Sequence, residues 1–267
     1  MHTSGFVRRA ISRFRSYVEC AWFLGRNARE SWSIFWRETK NLRVRLKLGR
    51  YQPETIYPLQ TVYGPLYFRD NFGDITNLPG LFYENVYRVG RLKSEGVILD
   101  VGANIGLASS WLALHNPGKT VYSFEPLPAN AALIALNCPE AVIERVAVGS
   151  TRGRCALHVD RQSVMASSIP CSWKTEDHEF DVISIDDFVA DKGIDKIALL
   201  KIDVEGMECE VLEGAQRALG MTRQLVMETH GRELHDNSTR LLETAGWHID
   251  HSEFNSKTGF VFASRVG

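Results

Sequence analysis

Two rhythms of apolar residues divide the chain. Val7, Ile11, Phe14, Val18, Trp22 and Gly25 recur at spacings of three and four, with Arg8, Arg9, Arg13 and Arg15 on the other side, which predicts an amphipathic helix. A second aromatic group follows at Trp32, Phe35 and Trp36. From about residue 60 the pattern changes to short apolar runs. "TVYGPLYFR" (61–69) predicts a β-hairpin turning at Gly64-Pro65, and a Gly/Asn/Pro-rich loop continues through Gly80 as a lid or cap ahead of a core. Beyond it the pattern predicts strands at 97–101, 120–125, 142–148, 197–203 and 224–229, with closing strands near 247–254 and 259–264. Helices are expected near 106–115, 128–136, 208–219 and 233–245. Strands alternating with helices of this length predict a doubly wound, Rossmann-like α/β sheet that binds its ligand at the carboxyl ends of the strands.

Charge sharpens the division. Residues 1–50 carry 12 Lys/Arg against 3 Asp/Glu, whereas the remainder carries 19 against 29, so a net charge of -1 conceals a basic arm on an acidic body. Basic charge opposite Trp and Phe fits a helix lying in an anionic membrane interface. The same stripe also fits packing on the main domain or on a second subunit. The acidic body disfavours duplex binding, and no nucleic-acid partner is expected. Five scattered cysteines without a CxxC pair argue against a disulfide framework or a zinc site and for a reducing, cytoplasmic setting, with peripheral membrane association left open. No apolar run approaches the length of a membrane span or the core of an export signal. The expected organisation is a helical arm over 1–50, a β-hairpin and cap over 51–92, and a catalytic domain over 93–267.

Candidate chemistry begins at "VILDVGANIG" (97–106), where a buried strand runs into a glycine-bearing turn. Gly102 and Gly106 suit a turn with unusual dihedrals or a close ligand approach. The middle glycine of the dinucleotide fingerprint is missing. Asp100 would sit badly beside a diphosphate and suitably beside an ammonium, so a ligand carrying adenosine and an amino acid fits better than NAD. The next strand, "VYSFEP", ends in Glu125, 19 residues past Gly106, where a carboxylate can accept both ribose hydroxyls. "IALLKIDVEGMECEVLEGA" (197–215) then delivers Lys201, Asp203 and Glu205 to the sheet edge, and "QLVMETH" ends with Glu228 and His230. Charges so concentrated at a sheet edge are costly unless each is paired or used.

With "FEPLPAN", "RVAVGS" and "ISIDDF" between them, these stretches resemble the FkbM-type family of S-adenosylmethionine-dependent methyltransferases over roughly residues 80–230. The resemblance implies a class I methyltransferase fold with a seven-stranded sheet, here carrying a helical N-terminal extension. It also implies O-methylation, commonly of sugar hydroxyls in glycolipids, polysaccharides or natural products. By position it implies that Asp100, Gly102, Asn104 and Gly106 line the methionine and ribose side of the cofactor. Glu125 holds the ribose, Ala147 contacts the adenine through its backbone, and Asp203 stands near the methyl group.

Methyl transfer to oxygen is an in-line displacement that requires alignment and removal of a proton. His230 is the natural base, with an ordinary pKa of about 6.5, and Glu228, Glu205 or Asp203 serve as orienting partner or alternate base. In a variant, Asp203, Glu228 and His230 hold Mg²⁺ or Mn²⁺ against two substrate oxygens. Ser167 and Ser168, in "RQSVMASSIP", are candidates for bonding acceptor hydroxyls. Two other readings of the sheet are a NAD-dependent oxidoreductase or sugar-nucleotide enzyme, and a non-catalytic cofactor-binding adaptor. N-methylation also stays open.

Overall fold

The computed structural model describes residues 3–160, 166–167 and 175–265, which form two compact units, one ending at Arg88 and the other beginning at Val89. The helical arm and the hairpin share the first unit.

In that unit α1 (Thr3–Leu24) and α2 (Ala28–Glu38) form a helical hairpin followed by α3 (Lys40–Arg45). The tight connection needs Gly25, where a Cβ would fall 2.3 Å from Ser31 Oγ. Asn27 caps α2 by accepting the Glu30 N–H. Expected periodicity places Trp22 on the apolar face of α1. The structure instead turns Cys20, Ala21 and Leu24 inward and leaves Trp22 and Phe23 outside. Of the inward residues, Cys20 sits beside the Glu38 side chain of α2. The β-hairpin, β1 (Gln52–Thr61) and β2 (Gly64–Asp70), pairs Thr61 with Gly64, so Val62 and Tyr63 make the turn expected at Gly64-Pro65. Thr61 Oγ1 organises it, accepting the Tyr63 N–H and donating to the Gly64 carbonyl. One-turn segments Asp74–Asn77 and Pro79–Tyr83 follow.

The second unit runs β3 (Val97–Val101), α4 (Leu107–His115), β4 (Val121–Phe124), α5 (Pro128–Asn137) and β5 (Val142–Glu144). It continues with β6 (Ala147–Val148), β7 (Gly153–Asp160), β8 (Ala166–Ser167), β9 (Thr175–Ile183), α6 (Ile185–Lys192) and β10 (Ile197–Ile202). Last come α7 (Glu208–Glu213), α8 (Gln216–Met221), β11 (Thr222–His230), α9 (Arg232–Thr244), β12 (His248–Asn255) and β13 (Thr258–Ser264). The seven-stranded sheet has the order β12-β13-β11-β10-β3-β4-β5, parallel from β11 through β5, with β13 antiparallel to β11. The chain winds outward from β3 and then returns to its other side at β10. The resulting switch point, between the carboxyl ends of β3 and β10, is where open α/β sheets take ligands. Leu99, Val101, Phe124, Leu200, Ile202, Leu225 and Met227 form its core together with Phe188 of α6.

Two expected elements are broken. The strand foreseen over 142–148 stops at Glu144, and Ala147–Val148 pairs with β9 in a separate four-stranded sheet, β6-β9-β7-β8. The helix foreseen over 208–219 breaks at Gly214. The Asp186 N–H donates to the Gly214 carbonyl, while the Asp186 carboxylate accepts the N–H groups of Arg217 and Ala218 and so restarts the chain as α8.

Candidate active site

The turn after β3 is shaped first by the chain's own packing. Gly102 has φ +80, and a Cβ there would lie 1.7 Å from the Asp203 carbonyl oxygen. Gly106 has φ +84, with Ile134 of α5 against it. Both glycines are therefore required by neighbouring backbone, independently of any ligand. Asn104 also has positive φ, at +50, and its side-chain oxygen is buried without a hydrogen-bond partner.

Asp100, 0% exposed, lies at the end of β3. The sequence reading places it beside a cationic group of the ligand. In the structure Lys201 Nζ, from the adjacent strand β10, lies 2.9 Å from its Oδ1, and Ser109 Oγ donates to its Oδ2 at 2.6 Å. The same ammonium donates to the Gly102 carbonyl and lies 3.8 Å from Asp203 Oδ2. Burial opposes charge on Lys201, but the Asp100 and Asp203 carboxylates outweigh it and hold its pKa above the ordinary value.

Glu125, past the end of β4, turns its carboxylate back onto the turn. It accepts the Asn104 and Leu127 N–H groups, each at 2.9 Å, and the Asn130 amide at 3.2 Å. Burial nevertheless pushes its pKa up to about 7 against those three donors. Ala147 is buried in the smaller sheet with Leu157 and Val182.

At the next strand ends, parallel register sets Ile202 beside Met227, so Asp203 follows beside Glu228. His230 Nδ1 lies 2.7 Å from Glu208 Oε1, and its Nε2 lies 3.4 Å from Glu205 Oε2 and 4.0 Å from Asp203 Oδ1. Burial opposes charge on His230, but the Glu208 hydrogen bond and the Glu205 and Asp203 charges outweigh it and raise its pKa well above the ordinary value. The direction of this shift runs against the base near neutrality expected at 230. Burial raises the proton affinity of Glu205 and Glu228 instead, with repulsion from Asp203 adding to it. Among the described residues, the group whose ligand atoms lie close enough for one metal ion, all within 4.8 Å of one another, is Asp203, Glu205 and His230. Glu205 takes the place the sequence reading gave to Glu228. Ser168 lies outside the described residues, and Ser167 belongs to β8.

Three residues of this site had no role assigned from sequence. Lys201 was visible as a charge at the edge, but not as the partner of Asp100. Ser109 reads as an ordinary helix residue. Glu208, 0% exposed, is three positions after Glu205 on the first turn of α7, and its pairing spans 22 residues to His230. No local signal marks the pair, because Glu205 and Gly206 have positive φ and lie ahead of the helix that Glu208 begins.

The sheet order, the turn after β3 with Glu125 at the next strand end, and the acidic edge of β10 and β11 define a class I, S-adenosylmethionine-dependent methyltransferase. Residues 100–249 match the Methyltransferase FkbM domain, and the chain belongs to that family. It is 31% identical to the 31-O-demethyl-FK506 methyltransferase FkbM of Streptomyces tacrolimicus, over 52% of this chain and 67% of the relative. It is 28% identical to the hexuronic acid methyltransferase AglP of Haloferax volcanii, over 65% and 72%. Against the 2-O-methyltransferase NoeI of Sinorhizobium fredii the identity is 26%, over 56% and 69%.

Proposed function

We propose that the chain methylates a hydroxyl of a glycan, glycolipid or related natural product. Bound S-adenosylmethionine supplies an electrophilic methyl group on a positively charged sulfonium. The observation that carries the reading is the convergence of Asp203, Glu205, Glu228 and His230 at the strand ends beside the β3 turn. Carboxylates outnumber the cations Lys201 and His230 there, an environment suited to a positively charged ligand. The buried Asn104 oxygen and the Glu125 carboxylate offer acceptors for ligand hydroxyl and amine groups. Gly102 and Gly106 keep the turn in the shape that presents them, and Ala147 lies along the adenine side in this reading. The acceptor proton passes to Glu205 or Glu228, whose burial favours taking it up. His230 positions Glu205 while Glu208 anchors its other nitrogen. The 31-O-demethyl-FK506 methyltransferase and the 2-O-methyltransferase support an oxygen acceptor, and the hexuronic acid methyltransferase supports a sugar. The basic arm, residues 1–50, keeps the enzyme peripherally at a membrane surface.

A second reading rests on the spacing of Asp203, Glu205 and His230. These residues could hold Mg²⁺ or Mn²⁺, whose charge would lower the acceptor's pKa.

Calorimetric titration with S-adenosylhomocysteine tests the cofactor assignment. Glu125→Ala should weaken binding by about 10- to 100-fold, the worth of hydrogen bonds to a carboxylate. Binding of NADH in its place, or an unchanged affinity in the variant, would overturn it. Acceptor assays on sugar alcohols and on amines, with Mn²⁺ and with chelator, then separate O- from N-methylation and the base reading from the metal reading.

A further inference from the structure

We infer that an aromatic ridge on the α1–α2 hairpin is the surface that meets the bilayer, and that the bilayer it meets is anionic. The inference deepens the peripheral contact proposed for the arm and is independent of the methyl acceptor.

The ridge is continuous. Phe14 packs edge-on against Phe35 at 5.6 Å between ring centroids, Phe35 against Trp32 at 5.6 Å, and Trp32 against Trp22 at 5.4 Å. Trp36 follows Trp32 by one helical turn. These rings are turned to the outside. Phe14 is 52% exposed, Trp22 48%, Trp32 57% and Trp36 56%, whereas the opposite face of α2 buries Ser31, Ile34 and Glu38. So many large rings in one exposed run exceed the scattered apolar residues of an ordinary surface.

Charge selects the occupant. The guanidinium of Arg43 lies 3.8 Å from the centre of the Trp36 ring, bringing a cation to one end of the ridge. From the last residue of α3 onward, exposed Leu46 and Leu48 are interleaved with exposed Arg45, Lys47 and Arg50. Long basic side chains can lay their stems along apolar surface while their heads reach phosphate. Trp rings are suited to the headgroup boundary, with an apolar body and one N–H donor. Among the described residues no helix is long and apolar enough to cross a membrane, which fits a contact that lies on the surface.

Flotation of the full chain with phosphatidylcholine vesicles, with and without about one-third phosphatidylglycerol, tests the inference. The chain should float with the anionic vesicles and much less with neutral ones, and added salt should weaken the association. The double variant Trp32→Ala/Trp36→Ala should bind on the order of tenfold more weakly, from the lost burial of two rings. Its affinity for S-adenosylhomocysteine should be unchanged, a control read from the other unit. Charge reversal by Arg45→Glu/Lys47→Glu supplies an independent variant if the first fails to fold, and should likewise release the anionic vesicles. Equal binding of wild type and these variants would overturn the inference, as would no binding to anionic vesicles. Equal binding to neutral and anionic vesicles would overturn the choice of an anionic surface. Self-association abolished by the double variant, without vesicle binding, would reassign the ridge to a second copy of the chain.

Discussion

Glu205 combines two properties that seldom occur together. It contributes a carboxylate to the cluster around His230, and its backbone has φ +50, a region that disfavours any side chain except at glycine and asparagine. Holding it there costs about 1 kcal/mol or more. Such strain at a charged residue beside the proposed methyl-transfer site is the reason to test its chemistry. Glu205→Gly should therefore raise the thermal midpoint by a few degrees, on the order of 1 kcal/mol, while reducing turnover by at least about 100-fold. Melting and methyl-transfer assays on one preparation would show both, and a variant that gained stability without losing turnover would remove Glu205 from the mechanism. At this scale the candidate residues could be read from sequence, but their partnerships could not. Asp203, Glu205, Glu228 and His230 announce themselves as charges at the ends of apolar strands. Lys201, Ser109 and Glu208 acquire meaning only when β3, β10, α4 and α7 are in place.

At the scale of elements, the strands with the most continuous apolar runs were the most legible. Val97–Val101 was foreseen to the residue, and Ile197–Ile202 within one, because strands buried on both faces admit few polar positions. The strands β7 and β9 were not legible because "GRCALHVD" breaks its apolar residues with Arg154 and His158, and "TEDHEFDVI" is polar through most of its length. The break between α7 and α8 was equally hidden, since the carboxylate that causes it, Asp186, lies about thirty residues upstream. The turn glycines could be seen, though their reason could not. Because Gly102 meets the Asp203 carbonyl, Gly102→Ala should cost about 2 kcal/mol or more from the left-handed backbone alone, with steric displacement of β10 in addition. Denaturant unfolding should show the loss, and S-adenosylhomocysteine binding should fall with it. A variant of unchanged stability would mean that the turn and β10 separate freely.

Across the whole molecule, buried acids give stability an unusual pH dependence. Burial raises Glu38 of α2 to about 8, a shift that the neighbouring Cys20 thiol offsets only in part, and raises Glu125 to about 7. A carboxyl whose folded pKa exceeds its unfolded value binds more protons when folded. Stability contributed by the protonated acid is then lost as pH rises from about 4.5 through the folded pKa. The protein without cofactor should therefore lose stability between pH 5 and pH 8, with the first unit responding through Glu38 and the second through Glu125, Glu205 and Glu228. Glu38→Gln should flatten the first response and add up to a few kcal/mol at pH 8, measured by denaturant unfolding across that range. A pH-independent difference between variant and wild type would refute the assignment. The division into two units at Arg88 had a partial sequence signature, the change from a basic to an acidic segment near residue 50. That the hairpin belongs with the arm had none.

The ammonium of Lys201 ties Asp100, the Gly102 carbonyl and Asp203 together, and the Asp203 N–H holds the Val101 carbonyl beside it. The turn proposed for the cofactor and the carboxylate proposed near the methyl group thus meet at one buried cation. Any displacement of the turn is therefore passed to Asp203 through that cation. In kinetic language, the expected outcome is ordered addition, with the methyl donor entering before its acceptor, and product-inhibition patterns with S-adenosylhomocysteine check it.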